Sequence, residues 1–553
     1  MKYLIFIFCA ILISVSVKSQ KFYIDPLNGS ADGNGSFDHP WKTLQEVIEQ
    51  NLIESYEPVN YPYDGTGELK LKNVAAPVSG GDTLILRTGY HGNINLLRYF
   101  NRDTIFVMAE KDNFPTLARL KLTAGKNWKF AGLNVSPEFA EEYTRDNIFR
   151  LESHNWSGPV SDVVIENCIG WSVDDPSGWS AKDWDTLACT GISCNASNVE
   201  LLNNILRNVN FGISVSGNNC VISNNSIINF SGDGLRGLGN DLIFEYNTVK
   251  NCYDVNENHD DGFQSWATNG EGPERITLRG NTIINYEDPD QPFRGTLQGI
   301  GLFDGPYIDW IIENNVIMVD HWHGISIYGG INCRVVNNTV VDLNDVSPGP
   351  PWIRVADQKD STHSINCIVR NNLATSFTIG EGVTADHNIK IKNYDEYFVN
   401  YVNHNLHLKT GCPAIDSGYA VFAPLTDIEG IARPQGNAVD IGAYEYSDPA
   451  KVNRQNFIPD EFALFQNYPN PFNPETTIEF FIPGNRDFYS TPLKTTLIVY
   501  DLLGKKISTL VDRYEMQGRH IVKFNASSLS GGIYFYRLTA GSFSQTKKLI
   551  VLK

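Results

Sequence analysis

The chain has 553 residues, enough for one large domain and a smaller one, and a net charge of −19 that is unevenly spread. Residues 461–553 carry 11 Lys and Arg against 7 Asp and Glu, so the acidity belongs to the body that precedes them. A body that acidic excludes nucleic acid as a partner, and it weighs against a polyanionic substrate unless the binding cleft is locally basic.

Residues 1–20, "MKYLIFIFCAILISVSVKSQ", place a lysine before an apolar run and small polar residues, the pattern of a secretory signal cleaved near Ser19 or Gln20. No later stretch is long and apolar enough for a membrane-spanning helix. Eight cysteines follow the signal, too few for a disulfide scaffold in so long a chain. "DPLNGSADGNGSFD" reads as a cap-forming turn, with calcium binding as the alternative. "PWKTLQEVIEQ" at 40–50 has helical periodicity and predicts a short N-terminal cap.

From about residue 160 the chain repeats itself. The phrases "VVIENCIG", "VELLNNIL", "CVISNNSII", "LIFEYNTVK", "ITLRGNTII", "WIIENNVIM", "CRVVNNTVV" and "CIVRNNLAT" align on Cys168, Asn204, Asn225, Asn247, Asn281, Asn315, Asn338 and Asn372. Their spacings of 36, 21, 22, 34, 34, 23 and 34 suit a rung of roughly 22 residues into which some turns insert about a dozen more. Apolar columns lie three and five residues before each aligned position, as for strands with one face inward. The Asn column predicts a ladder of amides bonded from rung to rung. Cys220, Cys333 and Cys367 fall in an inward column, where a thiol acts as a small hydrophobe. A Cys333–Cys367 bridge between neighbouring rungs is conceivable. The architecture expected is all-β: a right-handed parallel β-helix, a single-stranded solenoid, over 21–448.

A second phrase follows each Asn: "TGISCN", "FGISVSG", "DGLRGLG", "DGFQSWA", "QGIGLFD", "HGISIYG", then "PWIRVAD". Its leading residues run Thr190, Phe211, Asp233, Asp261, Gln298, His323. The outward fourth column runs Ser193, Ser214, Arg236, Gln264, Gly301, Ser326, Arg354, and the sixth gathers Trp266, Phe303 and Tyr328. With rungs about 4.8 Å apart, distant residues are collected into one polar patch beside an aromatic strip. The insertions "CYDVNEN", "YEDPDQPFRGT" and "LNDVSPGP" enter just before the leading residue and predict walls around the patch. "NENHDDGFQSW" puts His259, Asp260 and Asp261 near its middle.

Residues 22–446 resemble secreted β-helix polysaccharide lyases of the chondroitinase-B and alginate-lyase type at "YIDPLNGSADGNGSFDHPWKTLQEVI" and "GGDTLILRTGYH". "HLKTGCPAIDSG" and "DIEGIARPQGNAVDIGAYEY" resemble the closing segment of secreted bacterial β-helix proteins. "NHDDG" partly resembles the His-Asp motif of alginate epimerases, with Asn258 where their Pro stands. The resemblance implies an enzyme acting on an extracellular uronic-acid polysaccharide. His259 or His323 is then the base, Arg236, Arg354 and Gln264 neutralise the substrate carboxylate, and Asp233 or Asp260 orients a histidine. Trp266, Phe303 and Tyr328 stack on sugar, with Gln298 beside them. The residues specify no cofactor; Ca²⁺ is the one candidate, at Asp260 and Asp261. The order Asp233, Asp260-Asp261, His323-Gly324, Arg354 is also similar to that of polygalacturonases, which hydrolyse with paired carboxylates. It departs from theirs in the extra Gln298 rung, in "SGDG", and in the missing Arg-Ile-Lys. A silent carbohydrate-binding surface module is the remaining alternative, and in each case a monomer is expected.

After a linker at 449–460, residues 461–553 alternate short strands with Gly and Pro turns and predict a small Ig-like β-sandwich. "NYPNPFNPETTI", "VYDLLGK" and "GGIYFYRL" strongly resemble the type A C-terminal sorting domain of the type IX secretion system of Bacteroidota. That implies recognition by the type IX machinery and a final place outside the cell or on its surface.

Overall fold

The computed structural model describes residues 19–447, apart from 269 and 345, and 463–551 with short breaks at 465–466, 468–469, 471, 483–492, 503, 516–517, 528 and 541–542. Most of the expected signal and all of the linker at 449–460 lie outside the described residues. The chain divides into one compact unit ending at Tyr446 and another beginning at Ser447.

In the first unit each turn of the coil lays down three strands. One turn comprises Asp260–Trp266, Thr277–Arg279 and Thr282–Ile284, and the next begins at Leu297–Asp304. Each strand pairs in parallel with its counterpart one turn away, giving three ladders that run the length of a parallel β-helix. Alternation sends Leu201, Ile222, Phe244, Leu278, Ile312, Val335 and Val369 inward, where they are almost wholly buried.

The corner between the second and third ladders explains the repeated Asn-Asn. The first of each pair turns the chain: Asn203, Asn224, Asn314, Asn337 and Asn371 all have φ between 54° and 57°. Asn tolerates this left-handed conformation better than other side chains. The second Asn faces inward and builds the ladder. Asn281 Nδ2 donates to Phe244 O (2.9 Å) and to Asn315 Oδ1 (3.0 Å), while its Oδ1 accepts from Asn247 N (3.0 Å). The ladder runs from Asn204, bonded to Cys168 N, through Asn372 and on to Asn388, one rung beyond the repeat seen in sequence.

The expected cap is the helix Leu44–Glu49, begun by Thr43, whose hydroxyl accepts from Glu46 N at 3.1 Å. Leu44 and Val47 enter the core. The closing segment does not extend the coil. It folds back over the third ladder, packing Leu406, Leu408 and Ile441 against Met318, Val341 and Leu373. A fully buried Arg433–Glu445 pair (2.8 Å) fixes it. All eight cysteines are buried and free, so Cys333 and Cys367 are not bridged.

In the second unit, Ala463–Leu464, Glu475–Ile482 and Gly518–Asn525 form one antiparallel sheet. Lys506–Glu515, Leu493–Tyr500, Gly532–Ala540 and Phe543–Val551 form another. Residues of both, including Phe480, Leu497, Tyr536 and Leu549, share one core.

Candidate active site

The site sits on the outer face of the first ladder, on the strands Leu235–Gly237, Asp260–Trp266, Leu297–Asp304, His323–Tyr328 and Trp352–Ala356. Register pairs Arg236 with Gln264, Gln264 with Gly301, Gly301 with Ser326 and Ser326 with Arg354, so the fourth column is continuous. It continues toward the N-terminus through Ser214, Ser193, Arg150 and Lys121. That column holds four cations, Lys121, Arg150, Arg236 and Arg354, and no acid, although Glu152 and Asp233 pair with the first three.

Two clusters occupy the patch. In the first, Asp261 is fully buried; its amide donates to Asp233 Oδ1 (3.1 Å), and its Oδ2 meets His259 Nδ1 at 2.9 Å. Asp233 is ion-paired to Arg236, whose guanidinium lies 3.8 Å from the centre of the Phe211 ring. Asp261 Oδ1 has no hydrogen-bond partner and stands over Gly301, where a Cβ would come within 2.3 Å of it. Gly301 therefore makes room for the carboxyl. Burial pushes the Asp261 carboxyl up to about 7, with the charge of Asp233 adding to the effect. The bond to Asp261 raises His259, and burial raises Asp233 against the pull of Arg236.

In the second cluster, His323 Nδ1 lies 2.8 Å from Ser326 Oγ, which also accepts from Trp352 Nε1 at 3.0 Å. Burial, then the charges of His321, Arg354 and His259, lower His323 to about 4, so its imidazole is neutral. Arg354 lies across the rings of Tyr328 (5.1 Å) and Trp352 (5.5 Å), and its Nε has no hydrogen-bond partner. Phe303 joins the clusters, 6.3 Å from the His259 ring and 4.7 Å from that of His323. Gln298 is paired in register with Asp261 and nearly buried, its Oε1 unpartnered.

Three expectations are corrected. Asp260 does not share the patch: it pairs with buried Leu297 and accepts the Cys252 thiol at 3.4 Å, behind the strand. Burial there pushes it up to about 8. Asp260 and Asp261 thus form no common cradle for Ca²⁺. Among the described residues, no group of three or more His, Cys, Asp and Glu is arranged to hold a metal. The aromatic strip is also staggered, because an irregularity after Ser265 sets Trp266 against Asp304 rather than Phe303. A similar shift puts Trp352, not Pro351, opposite His323.

Ser326 and Trp352 are site residues missed as such; "HWHGIS" and "PWIRV", with histidine and tryptophan at strand starts, were the available signals. The insertions pack on one another. Tyr253 stacks on Trp184 at 4.4 Å, Asp254 N bonds Phe293 O (2.8 Å), and Asn344 Nδ2 bonds Tyr286 OH (2.9 Å).

Comparison with known families agrees with the fold. Residues 190–349 match the right-handed β-helix region, and 466–552 match the secretion system C-terminal sorting domain. The body is a right-handed parallel β-helix. A search of the curated proteins finds no match. Similar solved structures include a pectate lyase, at 15% identity over 78% of this chain and 98% of that one, TM-score 0.31. Another is the A-module of a mannuronan C-5 epimerase of Azotobacter vinelandii, at 12% over 57% and 91%, TM-score 0.36. A third is a PL6 family alginate lyase, at 13% over 61% and 55%, TM-score 0.32. The likeness is to the coiled architecture alone.

Proposed function

We propose that this protein is a lyase or C5-epimerase acting on a uronic-acid polysaccharide outside the cell. The observation that carries the reading is Arg354, absent from every ion pair of the described residues, beside the neutral imidazole of His323. In the tautomer that donates Nδ1–H to Ser326 Oγ, 2.8 Å away, His323 presents the Nε2 lone pair as a base. Arg354 neutralises the substrate carboxylate, which acidifies the C5 proton and holds the charge that develops when it leaves. His259, its pKa raised by its bond to Asp261, returns a proton, to the glycosidic oxygen in elimination or to C5 in epimerisation. Phe303 and Tyr328 flank the sugar.

The test is a panel of alginate, polygalacturonate, glycosaminoglycans and ulvan, followed by the ultraviolet absorbance of unsaturated uronate and by reducing-end release. Epimerisation is read by NMR. Absorbance or C5 inversion that vanishes in His323→Ala is expected. Reducing ends without absorbance would instead favour hydrolysis by Asp261, the acid with a pKa near 7, together with Asp233. The tail supports export through the type IX system, with its machinery as partner and the cell surface or medium as destination.

A further inference from the structure

Four rungs before Trp266, on the downstream edge of the same ladder, a second aromatic platform stands in solvent. Trp156 is 57% exposed and stacks on Tyr61, with ring centres 6.1 Å apart and planes 10° from parallel. It adds little to the core beneath, which Tyr63, Phe100 and Ala124 already close.

Its loop is nonetheless rigidly held. His154 and Gly158 exchange both backbone bonds at 2.8 Å, and His154 Nδ1 accepts from Trp156 N (3.1 Å) and Ser157 N (3.2 Å). Trp156 O accepts from Tyr63 N (3.1 Å), which ties the loop to the one carrying Tyr61. Asn195, at the head of the aromatic strip's column, clasps Ser153 on both sides of its backbone.

One cation meets the platform directly. Arg98 Nη1 donates to Tyr61 OH at 3.0 Å. On the adjoining ladder face Lys121 and Arg150 share a single carboxylate, Glu152, at 2.9 Å and 2.7 Å, leaving one positive charge in excess. Strand register runs from Arg150 through Ser193, Ser214 and Arg236 to Gln264. The platform therefore lies roughly 19 Å along the groove from the Trp266 rung, at about 4.8 Å per rung. In the fourth column only Ser193 and Ser214 stand between Arg150 and Arg236.

We infer that Tyr61 and Trp156, with Lys121 and Arg150, form a distal subsite for the acidic polysaccharide chain that occupies the candidate active site. The protein thus engages long chains in preference to short ones. The inference rests on the acidic-polysaccharide reading and extends it from one sugar to the whole groove. A pre-formed exposed indole supplies a stacking face at little ordering entropy, and the flanking cations supply charge complementarity.

The experiment measures binding of full-length His323→Ala protein, which prevents turnover, to polygalacturonate, alginate and chondroitin sulfate, with neutral laminarin as control. Trp156→Ala is then added, and separately Lys121→Ala with Arg150→Ala. The tryptophan change is expected to weaken polymer binding about three- to tenfold, the worth of one aromatic contact. The cation changes should remove much of its salt dependence. In the active protein, Trp156→Ala should lower kcat/KM on polymer and leave that on a tetrasaccharide of the same uronate unchanged. Polymer binding indifferent to both sets of substitutions would overturn the distal subsite and leave the catalytic reading standing. No binding of the parent protein to any acidic polymer would overturn both.

Discussion

Asp260 and Asp261 are held by different partners, a thiol behind the strand and an imidazole in front of it. Asp260 therefore faces away from the patch. Its folded pKa of about 8 means that the native state keeps a proton which the unfolded chain has released by about pH 4. Stability from this group is full below about pH 4 and is lost as pH rises through 8. Asp260→Asn should flatten that decline, raising the urea midpoint at pH 8.5 over the parent's with little change at pH 4, and should leave turnover intact. His323 gives the opposite kind of test. Its neutral form is the active one, so kcat/KM should climb as pH passes about 4 and fall where His259, raised by Asp261, loses its proton. His323→Ala should lower kcat/KM by about 10²–10⁴, the range for a general base, and His259→Gln should abolish the upper limb of the pH profile.

Among the elements, the asparagine ladder is the most exacting. Removing Asn281 would take a partner from Asn247 N, from one hydrogen of Asn247 Nδ2, whose other donates to Ile222 O, and from the Phe244 carbonyl. Asn281→Ala should therefore destabilise the body by about 3 kcal/mol, read from denaturant unfolding. The same change at Asn388, partly open to solvent, should do less. This demanding geometry is why the solenoid was legible in the sequence. A position that only one side chain satisfies, repeated every turn, survives as a visible column. The fourth column of the site was legible for a similar reason, since period-two alternation fixes which residues face out. Parity fails at strand ends. Nothing in "HDDG" says which aspartate turns outward, and a one-residue irregularity after Ser265 moves Trp266 without leaving a sequence mark. The His323–Ser326–Trp352 cluster joins two strands through side-chain reach, which spacing along one strand does not encode.

For the whole molecule, body and tail are separate compact units with separate cores. Deleting residues 447–553 should leave a folded body that accumulates inside the cell envelope instead of outside it, as cell fractionation and immunoblotting would show. The buried thiols bear on how such a body matures. Cys168, Cys194, Cys220, Cys252, Cys333 and Cys367 all lie in the main core of the coil as free side chains. Reaching the native state therefore makes no demand on an oxidant. A chain built this way can mature as readily in an anoxic habitat as in an aerated one.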